Sequence, residues 1–298
     1  MRVGRYSIKL SRSEKVLFPE GGITKGDLVR YYRRIAEVML PHLRDRCLTM
    51  HRFPEGLNGE GFYQKDIADY FPEWIDRETV AKEGGEVTHV VCNKAATLVY
   101  LANQACLTMH VWLSRTDSLD RPDRVIFDLD PPDDDFAPIR MGARRVRAIM
   151  EEVGLAPFLM TTGSRGLHVV APLDESAHFD EVRDFAHRLA QVLVGRHPED
   201  LTVAHRKNKR EGKLFLDYLR NSYAQTSVAP YSVRARPGAP VATPLDWREL
   251  DDPDLRPRRY HIGNIFRRLG QKRDPWSGIG RHRRALGPAL EALTKLEE

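Results

Sequence analysis

Val125-Ile126-Phe127-Asp128-Leu129-Asp130 reads as a short β-strand that turns acidic at its end and stops at Pro131-Pro132, because proline has no N–H to give to a sheet ladder. Downstream, Ile139, Ala143, Val146, Ile149/Met150 and Val153 recur at helical spacing over residues 138–153, and Gly154 closes that helix. Residues 158–162 and 167–171 are two further strand-like runs, joined by Gly163-Ser164-Arg165-Gly166 as a hairpin. A second helix carries Phe179, Val182, Phe185/Ala186, Leu189 and Val192/Leu193 on one face, and residues 213–219 supply a last strand. The order is β-α-β-β-α-β, the split βαβ arrangement.

That order predicts a geometry. In the RNA-recognition-like sheet the first strand lies between the third and the fourth, antiparallel to both. The end of the first strand, with Asp128 and Asp130, then lies beside the start of the third, with His168, and the fourth brings Asp217 to its other side. Asp128 and Asp130 are two residues apart, so both carboxylates leave one sheet face while Phe127 and Leu129 enter the core.

Upstream, Thr24 is placed to cap a helix whose apolar face uses Leu28, Tyr31/Tyr32, Ile35 and Val38/Met39 and which ends before Pro41. Residues 47–53 and 61–65 read as strands around a turn at Pro54-Glu55-Gly56. The expected plan is one body over residues 1–298: an N-terminal lobe to about 120, a catalytic lobe over 121–245 and an Arg-rich segment over 246–298.

With 298 residues, 41% hydrophobic and 30% charged, the chain can bury a large core without disulfides and is not of disordered composition. No apolar run is long enough to span a membrane, and the start shows no apolar signal core, so a cytoplasmic, nucleoid-associated protein is expected. Cys47, Cys92 and Cys106 form no CxxC pair and read as small buried hydrophobes. The net charge is +5, with basic clusters at 206–213 and 256–284 around an acidic run at 128–135. A dense acidic spot in a basic chain suits a metal site facing a polyanion.

Two carboxylates at one strand end repel unless a hard cation lies between them, so Asp128, Asp130 and Asp217 are candidate ligands for two divalent cations, Mn²⁺ or Mg²⁺. The hairpin, with Ser164, Arg165 and His168 among glycines, suits a triphosphate. His168 has no acidic partner in its local sequence. Arg220, Arg234 and Arg236 follow Asp217, the last two sharing a face if residues 231–236 are extended, and arginines there neutralise a transferring phosphate or grip a nucleic-acid backbone. Phe62 and Tyr63, followed by Lys65, are either core or a platform on which a base stacks.

Phe127-Asp128-Leu129-Asp130-Pro131, Thr162-Gly163-Ser164-Arg165-Gly166-Leu167-His168-Val169 and Phe215-Leu216-Asp217-Tyr218 with Arg220 strongly resemble the three motifs of the polymerase domain of bacterial ligase D, in the archaeo-eukaryotic primase superfamily. The likeness extends to Lys15-Val16-Leu17-Phe18-Pro19, Thr24-Lys25, His110-Val111-Trp112 and Asp274-Pro275-Trp276, nearly the whole chain. It implies an α+β primase-polymerase fold with an N-terminal α/β lobe. It implies Asp128, Asp130 and Asp217 as the catalytic metal ligands, and Ser164, His168, Arg220, His110, Arg234 and Arg236 as residues of nucleotide binding and activity. Lys15 and Lys25 match lysines that grip a downstream 5′-phosphate, and Phe62 and Tyr63 match aromatics that stack near the template, where Tyr for the Phe of some relatives leaves stacking intact. Arg52 and Lys65 complete the DNA-contact set.

The resemblance implies a template-dependent nucleotidyltransferase acting on NTP or dNTP, often favouring ribonucleotides, that fills gaps and extends ends in non-homologous end joining. No KxDG adenylation motif is present, so a stand-alone polymerase or a fragment is expected, with Ku and a separate DNA ligase as partners. Two alternatives stand: a metal-dependent phosphohydrolase or nuclease that uses the same carboxylates without needing a template, and a non-catalytic module that binds 5′-phosphorylated DNA ends through Lys15 and Lys25, indifferent to loss of Asp128.

Overall fold

A computed structural model describes residues 1–133 and 135–298; Asp134, part of the acidic run, lies outside the described residues. The chain forms two compact units, and the path between them is interleaved. Met1–Asp117, Thr226–Thr243 and Tyr260–Gln271 make the first; Ser118–Gln225, Pro244–Arg259 and Lys272–Glu298 make the second.

In the first unit, Thr24 starts helix α1 (Lys25–Leu43) with a reciprocal cap: the Asp27 N–H donates to the Thr24 hydroxyl at 3.2 Å and the Thr24 N–H to the Asp27 carboxylate at 2.9 Å. The helix does not stop before Pro41 as its sequence suggests. Pro41 falls in the last turn, where its ring costs one hydrogen bond, and the Arg44 N–H still reaches the Leu40 carbonyl at 3.0 Å. Its buried face holds Leu28, Tyr31, Tyr32, Ile35 and Met39. The two tyrosines carry polar ends inward, and each finds an acceptor: Tyr32 Oη donates to the Leu107 carbonyl at 2.8 Å and Tyr31 Oη to the Tyr231 carbonyl at 2.7 Å.

Strands β1 (Leu48–Arg52) and β2 (Phe62–Gln64) form the expected antiparallel pair. Past helix α2 (Ala95–Asn103), β3 (Cys106–Trp112) pairs with the other edge of β1, and the strand Thr226–Val228 completes a four-stranded sheet. Cys47, Cys92 and Cys106 are buried free thiols.

The second unit carries the β-α-β-β-α-β order: β4 (Arg124–Asp130), α3 (Ala137–Glu152), β5 (Phe158–Thr161), β6 (Leu167–Pro172), α4 (Phe179–Arg196) and, after the short β7 (Leu201–Thr202), β8 (Leu214–Asp217). The sheet order is β7-β8-β4-β6-β5, with Thr243–Leu245 at the far edge. β4 therefore lies between β6 and β8, antiparallel to both. Ile139, Ala143, Val146, Ile149 and Met150 bury one face of α3. Gly142 lets that helix approach closely, since a Cβ there would meet the Leu214 side chain at 2.2 Å. Trp276 is buried with its indole N–H on the Leu159 carbonyl at 2.9 Å, tying the last part of the chain to β5.

Candidate active site

In the second unit, strand register assembles the carboxylates. Asp128 lies opposite His168 on β6 and opposite Asp217 on β8, so three groups remote in sequence occupy one rung. Valine, phenylalanine and leucine at 125, 127 and 129 are wholly buried, and the aspartate side chains emerge beside them: 17% exposed for Asp128, 19% for Asp217 and 38% for Asp130. Burial pushes the Asp217 carboxyl above the ordinary range; the Arg220 guanidinium opposes this, and the Asp128 charge adds to it.

Each carboxylate faces an arginine. Arg220 Nε stands 3.3 Å from Asp128 and 3.4 Å from Asp217, bridging the two. Arg210 Nη1 lies 3.4 Å from Asp130 and Arg165 Nη2 lies 3.8 Å from it. Among the described residues no three acidic, histidine or cysteine groups converge on one point as a finished metal cage. The donor set is nevertheless that of a hard divalent cation: carboxylate oxygens on rigid strands, bridged by an arginine whose side chain is 41% exposed.

His168 is buried, with Nε2 3.4 Å from Asp128, so the acidic partner missing from its local sequence comes from across the sheet. Among the described residues its buried Nδ1 has no hydrogen-bond partner, which leaves one polar atom for a bound group to satisfy. In the hairpin the Thr162 hydroxyl organises the turn, accepting from the Ser164 and Gly166 N–H groups at 3.3 Å each. Those two amides are thereby turned toward Thr162, and the side chains of Ser164 and Arg165 are donors that this loop carries for a phosphate. Gly166 is required by a close approach: a Cβ would sit 2.1 Å from the Leu129 carbonyl oxygen.

Three residues of this site are not singled out by the sequence, although Arg210 and Arg258 fall within its basic clusters. Arg210 is held by the Ala204 and His205 carbonyls at 3.1 and 3.2 Å and lies 3.8 Å from the centre of the Phe215 ring. Arg258 donates to the Ser164 carbonyl at 2.9 Å. Asn221, fully buried, accepts from the Ile126 N–H and donates to the Ile126 carbonyl, both at 2.8 Å, so its side-chain amide acts as one more rung on the edge of β4.

The first unit gathers the cations. A cavity of about 380 Å³ is lined by Arg12, Lys15, Lys25, Arg52 and Glu55, among others. Lys25, only 6% exposed, donates to the Ser11 hydroxyl at 3.0 Å, and its pKa is lowered by burial and then by the Arg12 and Lys15 charges. Lys15 pairs with Glu55 at 2.6 Å. Arg52 is fixed by neutral partners, the Gln104 carbonyl, the Gln64 side chain and the Tyr70 hydroxyl, at 3.0, 2.7 and 2.9 Å. Glu55 is therefore the single acid on this lining, and the cavity is built for an anion.

Phe62 and Tyr63 are both exposed, at 45% and 61%, but neighbours on a strand face opposite ways, so they form two surfaces and not one platform. The Arg52 guanidinium lies 5.6 Å from the Phe62 ring centre. Tyr63 stacks on His51 with centroids 4.1 Å apart and 11° between planes, and its other neighbour is His110 at 5.8 Å. Lys65 is exposed just beyond β2. Residues 231–236 are not extended: Tyr231 has φ +65° and the Arg236 N–H folds back onto the Arg234 carbonyl at 2.8 Å, because Val233 bridges Val241 across a turn. Arg234 and Arg236 nonetheless both act on His51, whose pKa is lowered by burial and then by their charges. His51 joins these residues, and nothing in its sequence context selects it.

The LigD primase-polymerase domain model matches residues 24–276. The chain belongs to this family. Curated relatives include the multifunctional non-homologous end joining protein LigD of Mycolicibacterium smegmatis, 36% identical over 260 residues, which are 86% of this chain and 34% of the relative. The bifunctional LigD protein of Bacillus subtilis is 30% identical over 271 residues, 90% of this chain and 43% of that protein. The chain thus spans between a third and a half of the length of these two LigD relatives. Among solved structures, the polymerase domain of Mycobacterium tuberculosis ligase D, determined in complex with DNA, superposes with a TM-score of 0.88 at 35% identity, covering 93% of this chain and 99% of that one. A LigD polymerase domain is a nucleotidyltransferase, and the fold of this chain belongs to that class. Among the described residues no helix is long and apolar enough to cross a membrane.

Proposed function

We propose that this LigD-type domain extends a primer 3′-hydroxyl against a template at gaps and broken DNA ends during non-homologous end joining, favouring ribonucleotides. The observation that carries the reading is the single rung of Asp128, His168 and Asp217 beside Asp130. Asp128, Asp130 and Asp217 would hold the divalent cations, Mn²⁺ or Mg²⁺, and Arg220 would pair with the triphosphate. Divalent ions bound there would activate the attacking hydroxyl and offset the charge on the leaving pyrophosphate. His168, with its free Nδ1, and Ser164 receive the phosphates, and His110, Arg234 and Arg236 serve the incoming nucleotide and primer. Such transfer depends on alignment and charge neutralisation more than on a general base.

In the same reading the cavity around Lys15, Lys25 and Arg52 takes the 5′-phosphate of the downstream strand, and Phe62, Tyr63 and Lys65 line the template's path. Ku and a separate ligase act alongside, and the domain works at the nucleoid. The test is extension of a labelled primer on a gapped duplex with Mn²⁺, with the downstream 5′ end phosphorylated or not. Phosphate is expected to stimulate extension, and Lys25→Ala to remove that stimulation, about tenfold or more, while leaving extension on the unphosphorylated gap unchanged. Nucleotide release without a template would favour a hydrolase, and phosphate-dependent binding without extension an end-recognition module.

A further inference from the structure

A second basic surface lies on the far side of α1. Arg34 is nine residues from Lys25, which at 3.6 residues per turn places it about half a turn round the helix. There a groove of about 710 Å³ is lined by Arg30, Arg34, Arg267 and His261, with Phe266 and Ile262 between them. The groove is one of donors. Among the described residues the Arg34 and Arg267 side chains make no ion pair or hydrogen bond, whereas Arg144, Arg145, Arg147, Arg183, Arg188 and Arg196 all pair with carboxylates. His261 Nδ1 accepts the Gly263 N–H at 3.2 Å, which leaves Nε2 to carry the ring proton as a donor. The one carboxylate on the lining, Asp27, is consumed by the helix cap at one oxygen and by Arg30, at 2.5 Å, at the other.

An occupant must therefore bring acceptors and also cover an apolar floor. The Arg34 guanidinium lies 3.9 Å from the centre of the Phe266 ring. A guanidinium over an aromatic ring offers a planar cation on which a base can stack, with the other arginines of the lining as partners for phosphates. A duplex would present phosphates alone and leave the floor uncovered. We propose that this groove binds single-stranded nucleic acid, phosphates on Arg30, Arg34 and Arg267 and a base over the Arg34–Phe266 pair, as a strand site separate from the Lys15/Lys25 cavity.

The probe is fluorescently labelled dT12 without a 5′-phosphate, titrated with the full chain at several salt concentrations, with a poly-glutamate peptide of equal length as control. Arg34→Glu with Arg267→Glu is expected to weaken dT12 binding about tenfold or more and to flatten the salt dependence by about 1.4 in slope, for two lost phosphate contacts. Arg34→Gln with Arg267→Gln should show a smaller loss in the same direction, and both side chains are exposed, so the fold is not at stake. Phosphate-stimulated gap extension should persist in both variants. Unchanged dT12 affinity overturns the site, and so does a loss confined to poly-glutamate, which would identify an acidic polypeptide as the occupant. Because dT12 carries no 5′-phosphate, failure here is separate from failure of the gap-filling reading.

Discussion

The carboxylate rung of the second unit and the lysine cavity of the first are built by different means. The rung is a product of register: a strand alternates its faces, its neighbours are antiparallel, and Asp128 must then lie across from His168 and Asp217. The cavity is a product of loops: Arg12, Lys15, Lys25, Arg52 and Glu55 come from four separate connections and helix or strand ends that share no periodicity. Acidic groups that repel each other need a stiff frame to hold them together, and a sheet supplies one. Cations gathered around a small anion need only a rim, and Lys15, Lys25 and Arg52 here rest on neutral or exposed partners.

Breaking the rung should have the largest effect. Asp128→Ala with Asp130→Ala is expected to lower primer extension by at least about a thousandfold with far-UV circular dichroism unchanged, since both side chains leave the core. Extension that persists in this variant overturns the metal assignment. A change that attacks the frame and spares the carboxylates should come next. Asn221→Leu strands the Ile126 N–H and carbonyl in a buried setting, a cost of about 2–5 kcal/mol in denaturant unfolding, and displaces Arg220 next to it. Equal stability in wild type and variant would show that the side-chain rung is dispensable. The smallest effect is expected at the cavity rim. Glu55→Gln frees Lys15 from its exposed pair and should tighten binding of a 5′-phosphorylated gap about two- to threefold, more at low salt, as measured by anisotropy against the unphosphorylated gap.

The same contrast explains what could be read in advance. Val125 to Asp130, the helical spacings of α3 and α4 and the Gly163–Gly166 hairpin encode the sheet, because periodicity and turn chemistry are local properties of sequence. Pro41 misled because a proline in a last turn removes one bond without ending the helix. Tyr231 to Arg236 misled because a bridge between Val233 and Val241 folds the segment, a tertiary cause with no local trace. Lys15 and Lys25 were selected only through resemblance to a family; nothing about an isolated lysine announces that it will be buried beside two other cations. Arg210, Arg258, Asn221 and His51 act through contacts 80, 94, 95 and 12 residues away in sequence, made by loop or side-chain geometry that strand order and helical spacing do not encode.

Asn221 also turns chain length into a measured quantity. Because its amide is clamped to Ile126 while Asp217 is in register with Asp128, the segment between them has both ends nailed to the same strand. Arg220 lies inside that fixed interval, so one inserted or deleted residue between 217 and 221 would carry the guanidinium off both carboxylates at once. This interval works as a ruler, and its spacing is expected to tolerate changes of residue far better than changes of count.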